Sequence, residues 1–220
     1  MAIVTLSILG FKYQNQQGSM KVIDVGEFPV SEVLISLGDN PLQHHMATYD
    51  ADKAKVGKDL ILYGKTKIEG KYSKRISKFF VCTDCHTVGR EFSTLTSESS
   101  EDRLKYAKDN GILFLSGSTF WGITDRSTFY NDDYVKKYDV LVDNSRDTLA
   151  NAVQVCAEYC SAGRPLVDWE LESIMHYYKQ NELKIKDLGL SNNNLKNIGK
   201  VAQLSEEEKK ALIVLIKGSY

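Results

Sequence analysis

The sequence predicts a mainly α-helical protein. Apolar residues recur at helical spacing in several segments, most clearly in residues 51–63, 147–163 and 169–180. Glycine ends the first two of these segments, at Gly64 and Gly163. The chain has 220 residues, of which 42% are hydrophobic and 26% charged, which is the composition of a globular protein with a buried core. Its formal net charge of -1 argues against a nucleic-acid partner, which would require a basic face.

Residues 1–50 predict an N-terminal arm of short strands or irregular structure rather than helix. Short apolar runs such as Val33, Leu34 and Ile35 are separated by glycines. The first ten residues are apolar but have neither a basic segment nor a clear cleavage site for export, and they are too short to span a bilayer. We therefore expect an N-terminus that is incomplete or already processed, and no transmembrane segment in this chain.

The first predicted helix begins near Ala51 and ends near Gly64. Gly57 lies on this helix, one turn before the apolar residues Leu60 and Ile61. A basic cluster follows the helix and consists of Lys71, Lys74, Arg75 and Lys78. This cluster is either a solvated loop surface or a docking patch for an acidic redox partner.

The next segment contains Cys82, Cys85 and His86 in the order C-x-x-C-H, which is the attachment signature of c-type haem. The two thiols can add to the two vinyl groups of the porphyrin, and the imidazole can supply the proximal iron ligand. The motif therefore predicts one covalent haem c. Structural zinc is the main alternative, but it needs a second ligand pair at similar spacing. A thioredoxin-like redox pair is another alternative, for which the strand and helix context is absent.

The region after the motif predicts a capped helix and then a long irregular segment. The helix starts at Ser99 or Ser100 and ends at Gly111. Residues 112–134 are rich in aromatic residues, glycine, serine and threonine, and have no long period. Such a segment either wraps a flat macrocycle or is an ordinary aromatic-rich loop. Its candidate pocket residues are Phe120, Trp121, Phe129 and Tyr130. The alternative for these residues is ordinary core packing.

Two more helices are predicted before the C-terminal region. The first covers residues 147–163 and carries Cys156 on its apolar face. The second begins at Trp169, with Asp168 as its N-cap.

The C-terminal region predicts a polar loop and a final helix. The loop covers residues 190–199, and the helix covers residues 205–218. Ser205 and Glu208 form a capping box at the start of this helix. No internal repeat is evident, so the sequence does not predict an array of several haem units.

The order of these elements resembles the cytochrome c domain over roughly residues 52–180. The resemblance implies a close crossing of the first and closing helices at the small residue Gly57. The closing part, AVQVC followed by WELESIMHYY, is similar to the cysteine-ligated haem domain of the A subunit of the Sox (thiosulfate-oxidising) cytochrome. This similarity implies that Cys156 binds the haem iron from the distal side. The family pattern does not include Cys160, and the segment SGSTFWGITDRSTFYNDDY does not follow it closely.

The distal ligand has several candidates. Ordinary cytochromes c place a distal Met between the haem motif and the last helix, but no Met lies between His86 and Trp169. Cys156 could instead pair in a disulfide with Cys160, one helical turn away. Cys160 is itself a candidate. The remaining candidates are His44, His45 and Met46, whose alternative is an exposed turn, and Met175 and His176, whose alternative is a core or surface position.

The predicted organisation is an N-terminal arm at residues 1–50, a cytochrome c-like haem domain at residues 51–180 and a C-terminal extension at residues 181–220. The resemblance implies an exported mono-haem cytochrome, periplasmic or on the extracytoplasmic face of a membrane. It would transfer electrons as a subunit or partner of a respiratory or photosynthetic complex, with redox proteins, including membrane-complex subunits, as partners. The alternative is the haem subunit of an enzyme that oxidises sulfur compounds such as thiosulfate. Because the sequence has no nucleophile elbow, P-loop or second metal cluster, an electron carrier is favoured over a stand-alone enzyme.

Overall fold

A computed structural model describes residues 24–90, 100–111, 113–115, 117–130 and 132–220. Over these residues the protein is mainly helical, as the sequence predicts. The helices are α1 (Val30–Ser36), α2 (Ala51–Tyr63), α3 (Ser100–Asn110), α4 (Asp132–Tyr138), α5 (Val140–Asp143), α6 (Leu149–Val155), α7 (Asp168–Gln180), α8 (Asn192–Ile198) and α9 (Glu206–Lys217). The strands β1 (Lys67–Ile68) and β2 (Lys71–Tyr72) form an antiparallel hairpin in which Lys67 pairs with Tyr72. No helix within these ranges is both long and apolar enough to cross a membrane.

The described residues form two compact units. The larger unit covers residues 42–183 and includes the whole of the predicted domain at residues 51–180. The smaller unit combines residues 24–41 with Lys184–Tyr220, so that the described parts of the arm and of the extension contribute to one unit. Within it, Pro29 pairs with Lys184 in an isolated bridge, and Ile185 N donates to the Phe28 carbonyl at 3.0 Å.

The larger unit is built on the crossing of α2 and α7. Asp50 caps α2 by accepting hydrogen bonds from the backbone N–H groups of its first turn, and Gly64 ends it in the left-handed conformation, with φ of 65°. A Cβ added at Gly57 would collide with the backbone of Ser173 in α7. The helices can approach this closely because residue 57 has no side chain. The close crossing expected at Gly57 is confirmed.

The hydrophobic core of the larger unit surrounds this crossing. It joins side chains from α2, α6 and α7 to residues of the irregular segments between them. The buried members are Leu60, Ile61, Ile76, Phe120, Ile123, Leu149, Leu166, Ile174, Met175, Tyr177 and Tyr178.

Helix α1 corrects the prediction of strands or irregular structure for the arm. Val30, Val33, Leu34 and Leu37 are all buried and follow helical spacing. Pro29 precedes the helix with φ of -57°, a value suited to a helix start. The helical period of the four buried residues therefore prevails over the glycines around them. Residues 1–23 of the predicted arm lie outside the described residues.

Helix α8 corrects the prediction of a polar loop at residues 190–199. The Ser191 side chain accepts a hydrogen bond from Asn194 N and caps the helix, and Ile198 is buried. Asparagine is a poor helix former. The cap and the buried isoleucine nevertheless stabilise this short helix.

Helices α3 and α9 follow the prediction. α3 begins at Ser100 and is followed by Gly111 in the left-handed conformation, with φ of 62°. The alternative cap, Ser99, lies outside the described residues. At α9, Ser205 and Glu208 form the predicted capping box.

The helix predicted at residues 147–163 changes type along its length. It is α-helical as α6 and then widens into one turn of π-helix at Cys156–Cys160.

At α7, the N-cap is Val167 rather than the predicted Asp168. The reason is that the Glu170 carboxylate accepts a hydrogen bond from Val167 N, which places the cap one residue earlier.

Candidate functional site

The C-x-x-C-H motif folds into one short 3-10 turn at Cys82–Asp84. The backbone N–H groups of Cys85 and His86 both donate to the Cys82 carbonyl, at 3.3 and 3.0 Å. The Asp84 carboxylate accepts from Val81 N at 2.8 Å and so caps the start of the turn. As a result, the two thiols and the imidazole all line one cavity.

This cavity lies in the core of the larger unit and has a volume of about 260 Å³. Most of its wall is apolar. The aliphatic and aromatic side chains in the wall include Leu60, Ile76, Phe80, Phe120, Ile123, Phe129, Tyr130, Leu149, Val153, Leu166, Ile174 and Tyr178. Of the aromatic residues predicted to line a pocket, Phe120, Phe129 and Tyr130 do so, whereas Trp121 is not part of the wall.

The imidazole of His86 is held in a defined orientation. Its Nδ1 lies 2.6 Å from the Ser118 carbonyl oxygen, so Nδ1 carries the proton and donates it. The ring stacks on Phe120, with 4.5 Å between centroids and 19° between planes. A Cβ added at Gly117 would collide with the imidazole, so a glycine is required at this close approach.

The segment that carries Ser118 is paired with the motif by backbone hydrogen bonds. Gly117 N donates to the Cys85 carbonyl at 2.8 Å, and Phe120 N donates to the Thr87 carbonyl at 2.9 Å. These two bonds fix the position of the Ser118 carbonyl relative to the motif.

The side chain of Arg126 also holds this segment in place. The guanidinium is buried and donates to Ser118 Oγ at 2.7 Å and to the Thr119 carbonyl at 2.6 Å. It also contributes to the cavity wall. Sequence reasoning did not select Gly117, Ser118 or Arg126, because only the pairing of distant segments brings them to His86.

The four cysteines of the chain are free thiols, and all four line the cavity. Burial raises the pKa of the Cys82 thiol to about 11. Interaction with the neighbouring Cys160 thiol, together with burial, raises the pKa of Cys156. The same interaction lowers the pKa of Cys160 to about 7. The Tyr130 hydroxyl lies beside Cys160 and donates to the Ala152 carbonyl at 3.2 Å.

The loop candidates for a distal ligand do not line the cavity. His44 is buried, with Nε2 3.0 Å from the Thr124 carbonyl and its ring edge-on to Phe129 at 5.3 Å. Burial lowers the pKa of His44. His45 is half-buried, and Met46 is half-buried and packs against the core.

The candidates on α7 are also outside the cavity wall. Met175 is buried in the core. His176 is buried, and its Nδ1 accepts a hydrogen bond from Asp50 N at 3.2 Å, which ties it to the start of α2. Of the distal candidates, the structure therefore brings Cys156 and Cys160 to the same cavity as His86.

The basic cluster lies next to this site. Its four members, Lys71, Lys74, Arg75 and Lys78, are exposed. Phe79 and Phe80 follow in the chain and are 69% and 46% exposed, and Phe80 also lines the cavity. An exposed surface that combines cations and aromatic rings thus adjoins the cavity.

Comparisons with protein-family models, with curated proteins and with solved structures find no match to this chain. Within the part of the chain that the structure describes, no three His, Cys, Asp or Glu side chains are grouped as a set of metal ligands.

Proposed function

We propose that this chain is a c-type cytochrome with one covalent haem c and that it transfers electrons. Cys82 and Cys85 would hold the porphyrin through two thioether bonds, and His86 would bind the iron. The observation that carries the proposal is the hydrogen bond from His86 Nδ1 to the Ser118 carbonyl, beside two thiols in the wall of an apolar cavity. The haem, when bound, supplies a one-electron couple whose potential the protein sets.

The tautomer of His86 fits the role of an iron ligand. An imidazole that donates from Nδ1 to a carbonyl has its lone pair on Nε2, and this is the atom with which such a histidine binds a metal ion. The hydrogen bond also fixes the ring orientation and raises the basicity of the ligand. Arg126 adds a buried cation to the wall, which could pair with a carboxylate of the porphyrin.

In this proposal Cys156 would hold the iron together with His86. Its thiol lines the same cavity as His86, whereas the candidates at residues 44–46 and on α7 do not. The thiol is protonated while no cation is near, and coordination to a metal ion deprotonates it. A thiolate ligand favours ferric iron, in contrast to the His/Met pair, which raises the potential. We therefore expect a low potential and a low-spin, thiolate-type spectrum.

The attachment of haem can be tested by mass spectrometry under denaturing conditions, after expression in a host that matures cytochromes c. We expect the mass of the chain plus one haem. The double variant Cys82→Ser/Cys85→Ser should show the mass of the bare chain, whereas the matched variant Cys156→Ser/Cys160→Ser should keep its haem. A bare chain from the unaltered protein would overturn the proposal.

The distal ligand can be tested by absorption and electron paramagnetic resonance spectra. Cys156→Ser should change the spectrum sharply, while Cys160→Ser, one turn further on, should not. Met175→Leu and His176→Ala should also leave it unchanged. A near-infrared charge-transfer band from Met to iron would contradict thiolate ligation.

We propose that the protein functions outside the cytoplasm, since covalent haem is attached there in bacteria. Its proposed partners are redox proteins, including subunits of a membrane complex. The exposed basic cluster beside the cavity supports a partner with an acidic surface. A haem subunit of a sulfur-compound oxidising enzyme is the second candidate, and the second thiol pair at the cavity favours it. Turnover of thiosulfate or sulfite by the purified protein would distinguish this enzyme from an electron carrier.

A further inference from the structure

We propose that Cys156 and Cys160 form a thiol–disulfide exchange site in the cavity wall, with a disulfide-bonded molecule as its substrate. Both side chains line the cavity, and the two thiols are neighbours on one turn of the chain. Neither cysteine belongs to the C-x-x-C-H motif, so neither would be consumed by a thioether bond to a haem.

The backbone at this pair suits an internal disulfide. In an α-helix, residues four apart have Cα atoms about 6.2 Å apart, from the rise and radius of that helix. This distance falls inside the range of about 4.4–6.8 Å that a disulfide spans. The turn is also widened, because Ser161 N donates to the Cys156 carbonyl at 2.9 Å and Gly163 N donates to the Glu158 carbonyl at 3.1 Å. Single π turns of this kind occur frequently at functional sites.

The two thiols differ in their access to solvent. Cys160 is exposed, whereas Cys156 is only partly exposed. The Tyr130 hydroxyl lies beside the Cys160 sulfur. Cys160 is therefore the thiol that an incoming molecule meets first, and Cys156 is the thiol placed to complete the exchange.

The reaction balances with an external disulfide, R–S–S–R, as the oxidant. The Cys160 thiolate attacks one sulfur, the S–S bond of the external disulfide breaks, and one R–S⁻ leaves and takes up a proton. The Cys156 thiolate then attacks the Cys160 sulfur of the mixed disulfide, and the second R–S⁻ leaves. Two thiols of the protein are oxidised to one disulfide, and the external disulfide is reduced to two thiols.

The exchange itself does not depend on the proposed haem. One consequence does rest on the proposed function: an internal disulfide removes the Cys156 thiolate and with it the proposed distal ligand. The site would then change the iron ligation in response to the thiol–disulfide balance around the protein.

The test uses the full chain, reduced and then incubated with glutathione disulfide, followed by tryptic mass spectrometry. Residues 79–90 and residues 147–179 are separate tryptic peptides, since Lys78, Arg90, Arg146 and Lys179 flank them and Arg164 precedes a proline. The first peptide reports haem attachment and the second reports the thiol pair, so the failure of either proposal is visible without the other. We expect the second peptide to lose two hydrogens and to carry no glutathione.

Single variants test the order of the two steps. Cys156→Ser should accumulate one glutathione on Cys160, because the completing thiol is missing. Cys160→Ser should react at least tenfold more slowly than the unaltered protein. If the second peptide keeps both thiols, or holds glutathione on Cys160 without forming the internal disulfide, in both the matured protein and the Cys82→Ser/Cys85→Ser chain, the exchange site is refuted.

Discussion

The substitution Gly117→Ala should displace the imidazole of His86 and thereby alter the site most directly. Residue 117 does not have a positive φ, so alanine is compatible with its backbone conformation. The added Cβ, however, would collide with the imidazole ring at Cε1, Nδ1 and Nε2. Because the ring is stacked on Phe120 and bonded to the Ser118 carbonyl, it cannot move without giving up one of these contacts.

The expected cost follows from three effects. Forcing an added methyl group against the imidazole ring costs about 1–3 kcal/mol, and loss of the bond from His86 Nδ1 to Ser118 costs about 1 kcal/mol more. The lower entropy of the unfolded alanine chain returns about 0.4–1 kcal/mol. The steric cost therefore prevails, and we expect the free energy of unfolding to fall by about 2 kcal/mol.

The measurement is urea unfolding followed by circular dichroism, together with the absorption spectrum of the matured protein. Gly89→Ala is the matched control, because Gly89 lies in open space next to the same motif and also lacks a positive φ. It should change stability by less than about 0.5 kcal/mol and leave the spectrum as it was. Equal stability and equal spectra for the two variants would refute the orientation of His86 described above.

Three further substitutions test the fold around the site. Gly57→Ala should gain about 1 kcal/mol of helix propensity yet destabilise the protein overall, because its Cβ meets the backbone of α7; higher stability in urea would contradict the crossing. Glu170→Ala removes a carboxylate that is 1% exposed and forms two hydrogen bonds to Arg164, at 2.6 and 2.7 Å. It should lower the free energy of unfolding by about 3 kcal/mol. The control Glu172→Ala, which breaks an exposed ion pair on the same helix, should lower it by less than about 1 kcal/mol. Burial raises the pKa of Asp125 to about 7, so between about pH 4 and 7 the folded protein holds a proton that the unfolded chain has lost, and its stability should fall as pH rises; Asp125→Asn should flatten this dependence in unfolding curves measured across that range.

Local signals in the sequence were sufficient where one segment determines its own structure. The ends of α2 follow from the cap at Asp50 and the glycine at Gly64, and the capping box at Ser205 marks the start of α9. Local signals also contained α1, in the helical spacing of Val30, Val33, Leu34 and Leu37, but the nearby glycines outweighed it in the prediction.

The position of the Ser118 carbonyl could not be predicted in this way. Its carbonyl reaches His86 because residues 117–120 pair with residues 85–87, about thirty positions earlier in the chain. The segment is rich in glycine, serine and threonine, and such residues are compatible with several different turn conformations. It does not specify which distant backbone group the segment pairs with, and that pairing decides the tautomer of the imidazole.

The type of turn determines what each pair of thiols can do. In a 3-10 turn, side chains three residues apart lie one above the other, so the turn at Cys82–Asp84 directs Cys82 and Cys85 toward the same region of the cavity. That arrangement suits attachment of both thiols to one molecule. Cys156 and Cys160 are four residues apart on a π turn, and both line the cavity. This second arrangement favours a bond between the two sulfurs themselves. The spacings C-x-x-C and C-x-x-x-C thus correspond to two backbone turns, and the difference between these turns is consistent with the two proposed roles, attachment for the first pair and exchange for the second.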